Sequence, residues 1–525
     1  MAEKNMAGKV MSEKTMEIKL IPNRTITLDN RLTLSKRMKT IAKKALLPLV
    51  MSLFLFGITA SAQEVDDAVA LAMPNGSPSA RVLALGSSYL GIIDDISASI
   101  YNPAGLVLLP KSEFTMGFNF RNNKVTTTQF NTSTSTNNNK FLFNNIGIAM
   151  PIPKFYKGSR RSAFSLLYNR ESDLNREHRT DWYNPNSTLA SYYAKVAPEL
   201  LYYIYLSPKW DKSKTPITKD LQQTSTVLQS GSIHNFTVAY ARELTTSFSI
   251  GGSLQIRWGT QNFTRDYDEY DINGKYVIND TVNYTSLDFQ RLRVFENIEK
   301  SIAGVTGNIG FLWKIGDFTR INANIKLPSI NSVIFSDTLD AYASFKNGDN
   351  TKSYTKSHYR VAYSLYTPAV FSFGASFNAM GATLTTGVEY SDLSSMSIDQ
   401  FSNTGFYSDV SQSFVAAQNR LFRAELTGLL SWGVGAEYRI PSMPITVRAS
   451  YNSKSSPYSS DVEGSNRKIF GLGAGIDLDQ GFRIDVAAQF TSYKEYLALY
   501  GNDIDSRYIL NNSPYNFGIN LSYRF

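Results

Sequence analysis

Several residue groups in this 525-residue chain could do chemistry, and each implies a different activity. An adjacent carboxylate pair, Asp94-Asp95, precedes Asn102-Pro103-Ala104-Gly105 by seven residues. Two neighbouring carboxylates can hold an Arg or Lys. The Asn-Pro-Ala-Gly run dictates a fixed bend. Pro103 lacks an N–H and holds its φ near −65°, and it pushes Asn102 toward an extended backbone. The Asn102 side chain can close an Asx-type turn, and Gly105 admits conformations closed to other residues. An ordinary surface turn would have the same composition.

Other groups point toward catalysis, metal or nucleotide chemistry and fall short. The three histidines, His178, His234 and His358, could serve as general bases, but no Ser or acid spacing marks a triad with any of them. His178 and His358 fall in long loops and His234 near a strand start, where solvated side chains are the expectation. Asp266, Asp268, Glu269 and Asp271 suggest a Ca²⁺ loop, yet the fifth-position ligand and the sixth-position Gly of an EF-hand are missing. Gly471, Gly473 and Gly475 form G-x-G-x-G inside a strand pattern with no helix after it, so no phosphate cradle is implied. With no Cys, disulfide scaffolds, thiolate metal sites and Cys-linked lipid anchors are excluded. The chain is expected to be no enzyme and to hold no cofactor or metal.

The elements around these residues read as strands. Fourteen are expected, near 113–126, 141–152, 160–173, 232–243, 247–265, 301–315, 317–328, 369–378, 381–391, 430–440, 443–453, 467–478, 481–493 and 514–525. In 443–453, Ile445, Val447, Ala449 and Tyr451 share one face and Thr446, Arg448 and Ser450 the other. Short connections (244–246, 316, 379–380, 441–442, 479–480 and the slightly longer 153–159) alternate with long ones (127–140, 174–231, 266–300, 329–368, 392–429, 454–466 and 494–513). One-sided loop length, an even strand number, 31 Tyr and 31 Phe, and a last strand closing on Phe525 predict an all-β fold. It is a 14-stranded antiparallel transmembrane β-barrel, with both strand ends on the side of the short turns. Closure is required because an open edge in lipid would leave backbone groups unpaired. Arg448 then belongs in the lumen, since Arg at the bilayer midplane costs about 2–4 kcal/mol.

Two segments do not fit the wall. Residues 63–110 are apolar but broken by Gly and Pro, and are expected to fold into the lumen as a plug; 111–525 is the barrel. Residues 187–207 lie in the longest outer loop. Their spacing predicts one helix carrying Leu189, Tyr192, Tyr193 and Val196, and a second beginning at Pro198 and carrying Leu200, Leu201, Tyr203, Ile204 and Tyr205. They either pack as a small outer core or form a landing patch for hydrophobic ligands.

An export signal is expected at 38–62: a basic stretch of Lys36, Arg37, Lys39, Lys43 and Lys44 that runs into it, an apolar core at 45–60, and Ala60-Ser61-Ala62 before Gln63. Met38 heads this unit, so 1–37 is expected to be an over-long gene start, the alternative being a long n-region. Residues 1–62 carry 11 of the 53 Lys and Arg and 4 of the 44 Asp and Glu, leaving 42 basic against 40 acidic residues, a net of +2. Nothing in that balance points to nucleic acid.

The stretch 84–109, ALGSSYLGIIDDISASIYNPAGLVLL, resembles the N-terminal hatch of the outer-membrane long-chain fatty-acid transporter (FadL-like) family. The likeness rests on Asp94, Asp95, Tyr101, Asn102, Pro103, Ala104 and Gly105, with weaker support from 381–391, 447–453 and Phe525. It implies a monomeric barrel of the bacterial outer membrane, among lipid and lipopolysaccharide, that takes up long-chain fatty acids or other hydrophobic small molecules. By that likeness, outer loops would capture the ligand at Tyr192, Tyr193, Leu200, Leu201, Tyr203 and Tyr205. A lumen pocket would hold it, and a hatch shift would release it. A carboxylate head would need a lumen cation, with Arg257 and Arg448 as candidates. The same box occurs in relatives that serve protein secretion or surface attachment, and a scaffold barrel is the alternative. A membrane-embedded hydrolase and haem uptake are weakened by the three histidines.

Overall fold

The computed structural model describes residues 65–152, 160–276, 288–346, 352–401, 408–461, 463–500 and 504–525. The expected export signal and everything before it lie outside these residues. Fourteen strands form the wall. They are β1 (Glu113–Gln129), β2 (Thr132–Ile152), β3 (Ser162–Asp173), β4 (Leu221–Glu243), β5 (Phe248–Tyr270), β6 (Phe289–Ile315), β7 (Thr319–Lys326), β8 (Val370–Ala379), β9 (Ala382–Asp392), β10 (Gly428–Arg439), β11 (Ile445–Lys454), β12 (Arg467–Asp477), β13 (Phe482–Ala498) and β14 (Tyr515–Arg524). Each pairs antiparallel with the next, and β14 returns to β1 from Glu113↔Arg524 to Asn122↔Tyr515, so no edge is left. At the seam the Arg524 Nε donates to Glu113 at 2.8 Å.

Alternation sets the two faces. On β11, Val447 and Tyr451 are exposed while Arg448, Ser450 and Asn452 are buried toward the lumen. Around the cylinder, Phe373, Leu384, Trp432, Val447, Phe470, Val486 and Ile519 form the exposed outer band. That pattern is stable only against lipid. Among the described residues no helix is long and apolar enough to cross a membrane.

The outer side differs from the loops expected. Residues 127–140 are no loop: β1 and β2 run on to a two-residue turn at Phe130–Asn131, both at positive φ (43° and 63°), as a tight hairpin requires. Both ends of 266–300 are ladder as well. β5 and β6, 23 and 27 residues long, stay paired out to Tyr270↔Arg291. Crossing a bilayer takes about 9–11 residues, so their outer halves stand clear of it. Here charged residues take the outward positions and Tyr267, Leu292 and Val294 the inward ones, the reverse of the lipid-facing pattern, which hid this from the apolar period. Asp266 and Asp268 are taken by Arg293 and Arg291 at 2.7 Å, which explains the acidic run without a metal. A hairpin of Ile330–Phe345 and Lys352–Tyr366, the strand Arg176–Asn184 and the helices Leu189–Val196, Pro198–Tyr203 and Gln412–Glu425 complete an outer domain.

Candidate functional site

The segment from Val65 to the start of β1 lies inside the barrel. It holds three short helices (Val65–Ala72, Ala80–Leu85 and Ala98–Tyr101) and 3-10 turns at Gly86–Gly91 and Pro103–Leu108. Glycines on the lumen faces of the wall make its seat. A Cβ at Gly251 would lie 2.4 Å from Ala104 N, at Gly310 2.0 Å from Asn102 Oδ1, and at Gly374 2.2 Å from Leu90 O. At Gly387 it would lie 2.0 Å from Ser87 O, and at Gly471 2.2 Å from Ala84 O. Glycine inside a strand marks such a close backbone approach. The G-x-G-x-G of β12 is part of this seat.

Wall side chains then hold the inner segment by its carbonyls. Asn144 Nδ2 donates to Ser77 O at 2.7 Å, Gln489 Nε2 to Leu83 O at 3.1 Å, Ser450 Oγ to Ala84 O at 2.7 Å and Thr385 Oγ1 to Ser88 O at 2.6 Å. Asn322 Nδ2 reaches Leu90 O at 2.9 Å and Gly91 O at 3.0 Å, and Asn308 Nδ2 donates to Ile100 O. Sequence reasoning missed these asparagines. Only Asn308, two residues from the seat glycine Gly310, carried a local signal.

The Asn-Pro-Ala-Gly residues do what their chemistry predicts locally. Asn102 is extended (φ −159°, ψ 97°) and Pro103 opens the 3-10 turn. Asn102 Oδ1 accepts from Ala104 N–H at 3.1 Å, and its Nδ2 donates outward to the strand carbonyls of Phe311 at 3.0 Å and Ala323 at 3.1 Å. One buried side chain thus closes the bend and docks it on β6 and β7. Tyr101 borders the lumen cavity above.

Asp94 and Asp95 share an ionic cluster. Arg81 donates to Asp94 at 2.6 Å, to Asp95 at 3.2 Å, and through two nitrogens to Glu437 on β10 at 2.8 and 2.9 Å. Arg320 on β7 reaches the other oxygen of Asp94 at 3.0 Å. Asp95 instead accepts from Tyr89 OH and Ser97 N–H, both at 2.8 Å, ordering the turn.

The head-group candidates prove to be structural. Arg257 is 1 % exposed, donates to Glu171 at 2.6 Å and to Leu71 O at 2.9 Å, and also meets Ser329 and Asn331. Arg448 is 4 % exposed and held between Glu437 at 2.6 Å and Asp485 at 2.7 Å. Both guanidiniums neutralise carboxylates of neighbouring wall strands, Glu437 standing directly opposite Arg448 in the ladder, so neither is open to a ligand carboxylate.

The greasy loop divides in two. The helix Leu189–Val196 begins with a capping box at Thr188 and Ser191, and Pro198 opens the second helix. Leu200, Leu201 and Tyr193 are buried in an outer core with Trp182, Tyr267 and Tyr508, which corrects their reading as capture residues. Tyr203 and Tyr205 stay exposed, Tyr203 stacked on Tyr354 with ring centroids 5.6 Å apart. Beneath the Leu189 end lies a fully buried carboxylate. Glu269 accepts from Leu189 N–H at 2.6 Å, Gln223 Nε2 and Tyr267 OH at 2.8 Å, and Ala190 N–H at 3.5 Å. Burial outweighs these donors and pushes its pKa up to about 7.

The histidines are dispersed. His178 is buried against Tyr508 OH at 3.0 Å, and burial with Arg176 nearby pushes it down to about 3. His358 lies in the outer hairpin beside Asp337 at 2.8 Å. His234 bonds Ser232 Oγ and Tyr168 OH at 2.8 Å each, within an aromatic band that includes Phe143 and Trp258.

Between the hatch segment and the outer core lies a cavity of about 1130 Å³. It runs from Gly86, Ser87 and Tyr101 to Tyr192, Tyr193 and Tyr500, with Arg467, Lys454 and Glu389 on its wall.

No protein-family model and no curated protein matches the sequence. The fold is similar to the crystal structure of a FadL homologue from Pseudomonas aeruginosa, with 12% identity and a TM-score of 0.54 over 86% of this chain and 100% of that one. It is similar in the same degree to the toluene transporter TodX of P. putida, with 12% identity and a TM-score of 0.53 over 86% of this chain and 99% of that one. At such identities the likeness is one of fold: a 14-strand barrel with an inner N-terminal segment.

Proposed function

We propose that this barrel sits in a bacterial outer membrane and passes hydrophobic small molecules, long-chain fatty acids among them, without an energy source. The observation that carries this reading is the cavity of about 1130 Å³ between an aromatic outer domain and an inner segment seated in the wall. Its size is that of a ligand pocket, which runs to about 300–1,000 Å³. Each CH₂ buried there contributes about 0.8 kcal/mol, so chain length alone supplies affinity. Structural neighbours named as a fatty-acid transporter homologue and a toluene transporter support the same class.

In this mechanism Tyr203 and Tyr205, with exposed Val196 and Trp210, take the ligand from the outer leaflet. It moves past Tyr192 and Tyr193 into the cavity. The hatch then yields locally rather than leaving. Wholesale exit would break at least six wall-to-carbonyl contacts, each net about 1 kcal/mol, besides the Arg81 cluster. The stretch Val65–Ser77 borders the cavity and is the part best placed to shift. A sideways exit is favoured by a break in the wall: the β2–β3 ladder stops at Asn145↔Asn169 and β3 slips register against β4 between Arg170 and Ser172. Buried Asn145 Nδ2, Asn169 Oδ1 and Ser172 Oγ beside it have no partner.

The density of hatch contacts is the one observation that favours the scaffold reading, in which the barrel never opens. Uptake of labelled oleate by liposomes or cells carrying the protein decides. Rates above protein-free controls are expected, and equal rates end the transport reading.

A further inference from the structure

On one arc of the wall the charged residues are sorted by face. Strands β12, β13, β14, β1 and β2, with the short strand Arg507–Asn512 between β13 and β1, carry four carboxylates. All four take lumen-side positions and are paired with arginine: Asp477 and Asp485 with Arg483, Glu495 with Arg176, and Glu113 with Arg524. Three lysines, Lys468, Lys494 and Lys124, take outward positions on the same strands and are exposed. Among the described residues none of the three forms an ion pair. The strands themselves offer them no outward carboxylate, and Glu463 is exposed in the loop before β12. On β5 and β6, by contrast, the outward Arg291 and Arg293 are matched by Asp268 and Asp266.

The lysines also have a defined height. Phe470, Phe490 and Tyr515 stand opposite one another across β12, β13 and β14, and Tyr515 faces Asn122 on β1. A row of outward aromatics marks the level of the lipid interface. Lys468 is two residues above Phe470, Lys124 two above Asn122 and Lys494 four above Phe490. At about 3.3 Å per residue and about 4.8 Å per strand, Lys494 stands about 8 Å from Lys468 and about 12 Å from Lys124. Lysine stems lie along apolar surface and carry the ammonium to its partner, so the three can meet on one head group. Ser492 faces Lys468, Asn511 faces Lys494, and Ser513 N–H donates to Lys124 O at 2.9 Å. These three side chains fill the space between the cations with uncharged donors.

We propose that Lys468, Lys494 and Lys124 bind the phosphates of a bisphosphorylated glycolipid of the outer leaflet, whose acyl chains run down over the aromatic row. Lysine serves phosphate as a point charge with rotatable donors. Three of them at the membrane surface attract an anionic head group additively, so two phosphates are held better than one. The site lies on the outside of the wall. It requires the outer-membrane barrel and is independent of the uptake reading.

The test is native mass spectrometry of the purified barrel, its folded state checked by heat-modifiable migration. The probes are diphosphoryl lipid A, monophosphoryl lipid A and phosphatidylglycerol. The wild type is expected to bind the diphosphoryl form most tightly. The triple change Lys124→Gln, Lys468→Gln and Lys494→Gln should weaken that binding roughly hundred-fold, about fivefold for each lysine. The three Lys→Arg changes should retain it. A control triple, Lys195→Gln, Lys209→Gln and Lys219→Gln, removes the same charge from exposed positions in the outer loop and should change nothing. Unchanged binding by the folded Lys124, Lys468 and Lys494 variant, equal loss in the control, or phosphatidylglycerol bound as tightly as diphosphoryl lipid A by the wild type overturns the proposal.

Discussion

Asn102→Ala should loosen the hatch without opening the barrel. The amide makes two donated bonds to strand carbonyls, Phe311 O at 3.0 Å and Ala323 O at 3.1 Å, and accepts one from Ala104 N–H at 3.1 Å. Each neutral buried hydrogen bond contributes about 0.5–1.5 kcal/mol net, and Ala104 N–H is left unpaired in a buried site. The three together come to roughly 2–4 kcal/mol on the docking of Ala98–Leu108. At 1.4 kcal/mol per factor of ten, the opening equilibrium of that stretch should rise about thirty- to several-hundred-fold. The wall does not depend on these bonds, because the β6–β7 ladder pairs Phe311 with Ala323 independently of them. Amide hydrogen exchange read by mass spectrometry separates the two: peptides from 98–108 should lose protection by that factor, and peptides from β6 and β7 should not. Asn102→Asp should be worse than Ala, since it turns a carboxylate oxygen toward two carbonyls. Unchanged exchange at Leu106 and Val107, or equal loss in hatch and wall, would refute the docking role.

Gly471→Val places a side chain where a Cβ alone would lie 2.2 Å from Ala84 O, so it should lift Ala80–Leu85 and cost about 1–3 kcal/mol or more. Gly252→Ala, whose nearest neighbour would be 3.8 Å away, should be silent in the same thermal-melt assay. Glu269 should make the outer domain pH-sensitive. Its folded pKa of about 7 is raised from 4.5, so its contribution is full below about 4.5 and lost as pH rises through 7, about 3 kcal/mol in all. Exchange of 189–203 should therefore quicken between pH 5 and 8, and a flat profile would sink this. The triple change of Tyr203, Tyr205 and Trp210 to Ala should slow oleate uptake several-fold while leaving its affinity in detergent unchanged, because these side chains touch solvent and not the cavity.

The wall was legible because lipid on one side and lumen on the other impose a period of two, and all fourteen strands lie where that period runs. It became illegible above the bilayer, where the outward face is wet. The outer halves of β5 and β6 carry Asp266, Asp268, Arg291 and Arg293 outward and Tyr267, Leu292 and Val294 inward, the reverse of the lipid-facing pattern, and the hairpin from Ile330 to Tyr366 has apolar residues facing other outer elements, so both read as loop. The two outer helices were visible from spacing and Pro198, but spacing does not say which apolar side chains meet water. Leu200 and Leu201 went to a core while Tyr203 did not. Arg257 and Arg448 were placed correctly in the lumen, yet their carboxylate partners Glu171, Glu437 and Asp485 come from other strands. Pairing of that kind depends on register, which no local pattern carries. The glycines of the seat were present as letters, and only the approach of Ala84, Leu90 and Pro103 gives them a reason.

The lumen is layered, and the layers constrain how anything crosses it. Lowest is an ionic chain from Arg81 through Glu437, Arg448 and Asp485 to Arg483 and Asp477, with contacts of 2.6–2.8 Å. Over it the hatch is pinned carbonyl by carbonyl to glycine-lined strands. Above that lies the cavity, then the aromatic outer core. An apolar chain can enter from the top, where burial favours it, but the ionic layer gives it no downward path: parting those pairs would strand charges in a narrow space, at several kcal/mol for each ion. A ligand held over the hatch is therefore better released through the wall than through the floor. The β2–β3 discontinuity, close to Gly76 N–H donating to Glu171 O at 2.9 Å, is where the Val65–Ser77 stretch meets that wall. On the proposed transport reading, movement there would open a lateral path while the ionic layer stays intact, so a sealed floor would be compatible with uptake.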